Sequence, residues 1–308
     1  MTRSRRSPAR VLTLALLAAP LGSCGDPPAT SAATASPAAA PSESAPKAPA
    51  APALPPEIVR EMTRLERGKP GDRIEAAMRL ESMDPAAAAP AAPLLLAALA
   101  SDDPDLRAAA ARAAAAVAPG DATREALVPL AARDPDIGVR KAAIEGLVRI
   151  GGEAARSAAR RGIEDDAPAV RAHAIAALAA AGDADSAARF ADALADADAS
   201  VVVAAVKALG AVKGERFAGE IGKLLAPGVD DGLKREALAA LEELGSLDAE
   251  TLPLVVDCLE SPRLPVRVQA IATLRTVSGE SIPFDADEVD EATRKEQVAR
   301  WRHWATNR

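Results

Sequence analysis

A basic residue returns along this chain every 31 to 34 positions, at Arg73, Arg107, Arg140, Arg171, Lys234 and Arg267, with Val202 holding the same place in the one gap. An acidic turn precedes it and an Ala-rich apolar run closed by glycine follows it. Asp134-Pro135-Asp136 leads to Val139-Arg140 and on to Gly151-Gly152, and Asp165-Asp166 leads to Val170-Arg171 and Gly182. A fixed period of this size marks stacked supersecondary units, none of which can bury its own apolar face alone. Apolar residues recur four and seven places after the basic one, as at Ile144 and Leu147, Ile175 and Leu178, Leu238 and Leu241, and Ile271 and Leu274. That spacing puts them on one face of a helix. A first helix, such as 123–132 or 252–259, is expected ahead of each basic one. Seven such pairs are predicted over residues 57–279.

Each acidic turn has a physical purpose. An Asp ahead of a helix accepts hydrogen bonds from the first unpaired N–H groups, and a Pro after it fits the first helical position. Asp103-Pro104 and Asp134-Pro135 both have this form. Asp134 also stands six residues before Arg140, and Asp165 six before Arg171. In these features the chain resembles the HEAT-repeat family, above all its short bacterial form. The resemblance implies an all-α superhelical solenoid in which such Asp and Arg side chains form a ladder between adjacent repeats. Its members here are Arg73, Arg107, Asp134, Arg140, Asp165, Arg171, Lys234 and Arg267. Val201-Val202-Val203 interrupts it although Asp196 keeps its place; this is either a tolerated substitution or flexible joint, or a small apolar contact patch. At Lys234 the charge survives but the forked geometry of arginine is lost.

The N-terminus carries a different kind of signal. Arg3, Arg5, Arg6 and Arg10 precede an apolar run at residues 11–19 that is too short to span a bilayer and reads as an export signal. Leu21-Gly22-Ser23-Cys24 resembles the lipobox of bacterial lipoproteins. That resemblance implies a signal peptide over residues 1–23, cleavage, and acylation of Cys24, with a plain signal peptide as the alternative. Ser4-Arg5-Arg6 is similar to a twin-arginine signal, but Pro8 and Ala9 stand where that family has apolar residues. Two acyl chains would anchor the protein stably at about 0.8 kcal/mol per buried CH₂. The expected location is the bacterial cell envelope, and Gly25 after the cysteine points to the outer rather than the inner membrane. Residues 24–56 are Pro, Ala, Ser and Thr with few branched apolar side chains. Such a segment cannot offset its ordering entropy and is predicted to be a disordered tether.

Composition excludes several kinds of chemistry. Without the four arginines of the export signal, the 37 basic and 44 acidic residues become 33 and 44, a net charge of −11, which argues against nucleic acid. DNA-glycosylase solenoids grip DNA with a basic face and aromatics; this chain is acidic and has none on a predicted inner helix. His173 and His303 have no second His or Cys at ligand spacing, so no metal or haem is expected. HEAT proteins include a di-iron hydroxylase built on His-Glu pairs, but here Ala174 and Trp304 follow the two histidines. Cys258 lies in an apolar run and is expected to be a buried small hydrophobe with no disulfide partner. No cofactor is predicted.

What remains is surface. In a HEAT stack the second helices line the concave face, and residues one, five and nine after each basic position point into it. They include Lys141, Glu145 and Arg149, then Ala172 and Ala176, then Val203 and Lys207, then Arg235 and Glu243. This face is charged at both ends and smooth between, which suits the close approach of a partner's backbone or helix; it also fits a merely solvated surface. Beyond residue 279 a last helix is expected over 288–304. Arg294, Val298, Trp301 and Trp304 are similar to the ending of many bacterial HEAT proteins and would cap the open stack, with Phe284 beside them; paired tryptophans also suit a binding hot spot. The function expected is a non-catalytic scaffold for a protein or peptide of the envelope, membrane-held by its lipid. The alternatives are a lyase-like enzyme or accessory, which the resemblance to phycobilin-lyase repeats suggests, and a purely architectural spacer.

Overall fold

The computed structural model describes residues 54–307, and among these every regular element is helical. The expectations for the signal peptide, Cys24 and residues 24–53 lie outside the described residues. Seven helix pairs follow one another. The second helices are α2 (Pro70–Ser82), α5 (Pro104–Val117), α7 (Ile137–Ile150), α9 (Pro168–Ala180), α11 (Ala199–Ala211), α13 (Asp231–Leu244) and α15 (Leu264–Ser278). The first helices are shorter or broken: α1 (Pro56–Arg67), α3 (Pro85–Ala88) running into α4 (Ala92–Ala98), α6 (Asp121–Arg133), α8 (Gly152–Arg160), α10 (Ala187–Asp192), α12 (Ala218–Gly222) and α14 (Thr251–Asp257). A last helix, α16 (Glu291–Thr306), has no second helix after it among the described residues.

Local chemistry explains the boundaries. Asp103, Asp136, Asp198 and Asp230 each accept a backbone N–H from the first turn of the helix they precede. Asp134, expected to be such a cap, is not one; it ends α6, and Asp136 takes the capping role two residues later. The second helices pack in unbroken order from α2 to α15, while the first helices touch one another more sparingly, so the second-helix layer lies on the short-radius side. Small residues permit this. In α5, Ala109, Ala110, Ala111, Ala113, Ala114 and Ala115 are all buried. In α7, a Cβ on Gly146 would stand 2.8 Å from Leu127 Cδ1 and 3.1 Å from Ala115 Cβ, so that helix face has no room for a side chain.

Three forked ion pairs stitch consecutive pairs together. Arg107 grips Asp134 at 2.9 and 2.8 Å, Arg140 grips Asp165 at 2.9 and 3.0 Å, and Arg171 grips Asp196 at 2.8 Å through both nitrogens. The same arginines turn a third nitrogen on their own pair, donating to the carbonyls of Ser101, Asp134 and Asp165 at 2.7–2.8 Å. Each guanidinium therefore satisfies an open carbonyl at the end of its own first helix and the carboxylate that ends the next one. Burial opposes ionisation of Asp134, but the Arg107 fork and the Asp136 N–H outweigh it and hold the carboxyl low.

The ladder is shorter than the sequence suggests. Among the described residues Arg73 reaches only Leu65 O at 2.9 Å, in its own pair; the next acidic position is occupied by Ser101, too short to meet a fork. Lys234 makes no ion pair among the described residues and faces a turn that carries Ser261 instead of Asp. Arg267 keeps the bond to its own pair, Ser261 O at 2.8 Å, but its outward nitrogen goes to the Ala286 carbonyl at 2.7 Å.

A second lock lies on the first-helix side. Arg160 at the end of α8 forks on Asp183 at 2.8 and 2.5 Å, and the Ser186 hydroxyl donates to the same carboxylate at 2.5 Å. Asp183 is 1 % exposed. Nothing in the repeat pattern marked these residues.

The ends are closed differently. At the N-terminal end Glu61, fully buried, lies between Arg60, Arg64 and Arg79 at 3.2–3.4 Å, while Glu75 bridges Arg64 and Arg79 at 2.7 and 2.6 Å. At the C-terminal end α16 packs on α14, and Arg302 clamps Asp257 and Glu260 at 2.7 and 2.9 Å. Trp301 is fully buried and meets Trp304 edge-on at 5.5 Å; Trp304 is only half-buried. The segment before α16 supplies the rest, with Phe284 buried and its carbonyl bound by Arg275. The closure thus has two parts, α16 with its tryptophans and the segment that carries Phe284.

These locks set an acid limit on stability. The Arg160 fork holds Asp183 below the usual carboxylate range, and Arg171 does the same for Asp196. A lowered carboxylate contributes stability that is complete above the unfolded value, about 3.9, and is lost as pH falls through the folded value. The Asp183→Asn chain is expected to lose less stability than wild type between pH 4 and the acid limit. At neutral pH, Asp183→Ala removes the buried partner of Arg160 and leaves it the exposed Glu153 carboxylate at 2.7 Å, and urea unfolding should register a loss of about 1–3 kcal/mol.

Candidate partner-binding face

The second-helix layer holds every residue expected on the inner face. Lys141 and Glu145 on α7 and Val203 on α11 are half-buried, and Arg149, Ala176, Lys207, Arg235 and Glu243 are exposed. Several of the charges are already engaged with neighbouring helices. Arg149 reaches past α5 to Glu81 at 3.4 Å, and Arg112 of α5 reaches the same carboxylate at 3.6 Å. Lys207 and Arg235 share Glu236 at 3.3 and 3.4 Å. Toward the C-terminal end Glu242 takes Gln269 at 2.7 Å and Thr276 at 3.0 Å. Lys141 makes no ion pair among the described residues.

Between these charged shoulders lies a mostly apolar hollow of about 430 Å³. Its lining is Ala176, Ala177, Ala180 and Ala181 of α9 and the turn after it, with His173, Glu145, Val148 and Arg149. The hollow exists because three positions of α9 that face outward from the packed stripe, and Ala181 in the turn after it, carry only methyl groups. His173 was absent from the residues singled out on this face, since it stands two places after Arg171 rather than one or five. Among the described residues its Nε2 is buried with no hydrogen-bond partner, and burial followed by the nearby Lys141 charge pushes its pKa down. At neutral pH the hollow is therefore lined by a neutral imidazole with one unmet polar atom.

Other candidate chemistry is placed elsewhere. Among the described residues no three His, Cys, Asp or Glu side chains gather as a metal ion requires, and no helix is long and apolar enough to cross a membrane. Cys258 follows α14, is 5 % exposed, and has its thiol pushed up to about 11 by burial. Against an ordinary thiol near 8.5, that lowers the thiolate population by roughly two orders of magnitude at neutral pH. In a Cys24→Ala chain, a thiol reagent at pH 7.5 should label Cys258 at least about 100-fold more slowly in the native state than in urea; comparable rates would show an accessible thiol.

The profile of HEAT repeats matches residues 91–167 and 162–242. No curated protein sequence matches the chain. Among solved structures, the chain is similar to the complex of CpcE and CpcF of phycocyanin lyase from Nostoc sp. PCC7120, with 19% identity, 83% of this chain and 97% of that one covered, and a TM-score of 0.43. It is also similar to human deoxyhypusine hydroxylase in complex with glycerol, at 18% identity, 73% and 96% coverage and a TM-score of 0.36. An engineered protein matches at 22% identity, 72% and 97% coverage and a TM-score of 0.34. With two overlapping repeat matches across the middle of a stack of helix pairs, the chain is a HEAT-repeat protein.

Proposed function

We propose that this protein is a non-catalytic scaffold of the bacterial cell envelope, held to a membrane by a lipid on Cys24, which takes a protein or peptide partner along its second-helix face. A HEAT-repeat solenoid supports either an interaction scaffold or a lyase-like accessory. The observation that favours the scaffold is the alanine floor of α9 between charged shoulders. Methyl groups let a partner's backbone or helix come close, while Lys141 and Glu145 at the rim give it orientation. Small-molecule sites more often converge several polar groups on an enclosed cavity, and this hollow offers one unmet imidazole nitrogen.

The test fills the floor and reverses the free charge. Ala176→Arg together with Lys141→Glu alters exposed or half-exposed positions only, so the melting temperature should stay within about 2–4 °C. Capture of the envelope partner that copurifies with wild type should fall at least tenfold. Unchanged capture would remove this face from the proposal. A stoichiometric small molecule seen by native mass spectrometry in the purified protein, with no captured protein, would favour the lyase-like accessory. Cys24→Ala should release the protein into the soluble fraction; retention in the membrane would remove the lipid anchor.

A further inference from the structure

The joint between the fifth and sixth pairs differs from the one before it in three ways at once. Val202 replaces the arginine that would reach outward. The residue that would receive it is Ala226. It ends the first helix of pair six with φ −55 and ψ 153, as Asp165 does in pair four (−65, 146) and Asp196 in pair five (−63, 145). Donor and acceptor of the fork are therefore both missing. The turn that follows is also longer. One residue separates Asp165 from the cap Ala167 and Asp196 from the cap Asp198, whereas three separate Ala226 from Asp230, with Gly228 at φ +87 among them.

At the opposite ends of the same helices, α11 and α13 are held close. A Cβ on Gly210 would stand 3.4 Å from Ala240 Cα and 2.6 Å from a Glu243 carboxylate oxygen. Lys213 donates to the Glu243 carbonyl at 2.6 Å, satisfying an open carbonyl in the last turn of α13. To do so Lys213 adopts φ +55, the left-handed conformation that glycine supplies after α9 at Gly182. That conformation is unfavourable for a lysine. Among the described residues the remaining polar tie across the joint is the Lys207–Glu236 pair at 3.3 Å. The joint between pairs four and five, by contrast, carries both the Arg171–Asp196 fork and the buried Arg160–Asp183 fork. The joint between pairs six and seven carries the buried Thr273 bond to Leu238 O at 3.0 Å.

We infer that the solenoid opens at this joint. Pairs two to five, stitched by three forks, move as one block, and pairs six and seven with α16 move as another. The pivot is the Gly210–Ala240 contact and the Lys213 bond, and the N-terminal ends of α11 and α13 part. Val203 and Arg235 stand one residue after Val202 and Lys234, at those parting ends, so opening widens the inner face there without disturbing the α9 hollow. A partner that touches both blocks sets the angle between them. This does not rest on the identity of the partner or on the α9 site.

Hydrogen exchange of the full chain, read by mass spectrometry, tests it. Amides of 199–206 and 230–238 should exchange at least about 10-fold faster than those of 137–144 and 168–175, which lie at the same place in forked pairs. Val202→Arg with Ala226→Asp installs the missing fork in backbone that accepts it, and should slow 230–238 to within about threefold of 168–175. In the reverse direction, Arg171→Val with Asp196→Ala should bring 168–175 up to the fast rate. Equal exchange at all four segments in wild type would overturn the proposal, whether or not the variants fold. So would a folded Val202→Arg, Ala226→Asp chain in which 230–238 exchanges as fast as before.

Discussion

One guanidinium bonded in two directions organises this solenoid. Arg140 gives one nitrogen to the carbonyl that ends its own first helix and two to the carboxylate that ends the next. The first bond fixes how two helices of a pair lie together, and the second fixes where the following pair stacks. Because the Asp165 carboxylate receives one fork while its carbonyl accepts a hydrogen bond from the next arginine, Arg171, each rung orients its successor. Register is thereby passed along the chain by polar contacts, while the area buried between helices supplies the stability.

That division of labour leaves the second-helix surface free. The packed side of the second helices from α7 onward is fixed by leucine, isoleucine and valine at four and seven places after the rung, alanine takes both places on α5 (Ala111 and Ala114), and close approach is secured by alanine and by Gly146. Residues facing away from the stack carry none of this burden. On α7 and α13 they are charged and mostly paired with neighbours, and on α9 they are methyl groups above a neutral histidine. A surface of that kind is shaped for contact over length, which is why the functional reading rests on a face and not on a cluster of reactive groups.

Much of this was legible in the sequence because the period is carried by residue types with one physical role each. Helix pairing, the basic positions, the start near residue 57 and the change of pattern after Gly279 all follow from spacing and from the conformational habits of Asp, Pro and Gly. The failures have a common cause. Asp134 looked like a helix cap because Pro135 follows it, yet which of two nearby aspartates caps a helix depends on where the chain turns, and that is set by packing. Arg73 looked like a rung because its own position is right, but a fork needs a receiver one repeat later and Ser101 stands there. Arg160 and Asp183 lie outside the repeated positions, so only their juxtaposition in space reveals the buried pair. His173 reads in the sequence as a lone histidine for want of a metal partner, and its place in the hollow depends on how α7 packs beside α9, which no local pattern identifies.

The most direct test of the account is site-specific photo-cross-linking in cells. A photoreactive residue at Ala176, in the hollow of α9, would be compared with one at Ala132, exposed on α6 in the first-helix layer. The account predicts a discrete, high-yield product with one envelope protein from position 176 and little from position 132. A product from position 132 with none from position 176 would place the partner on the opposite layer and contradict it.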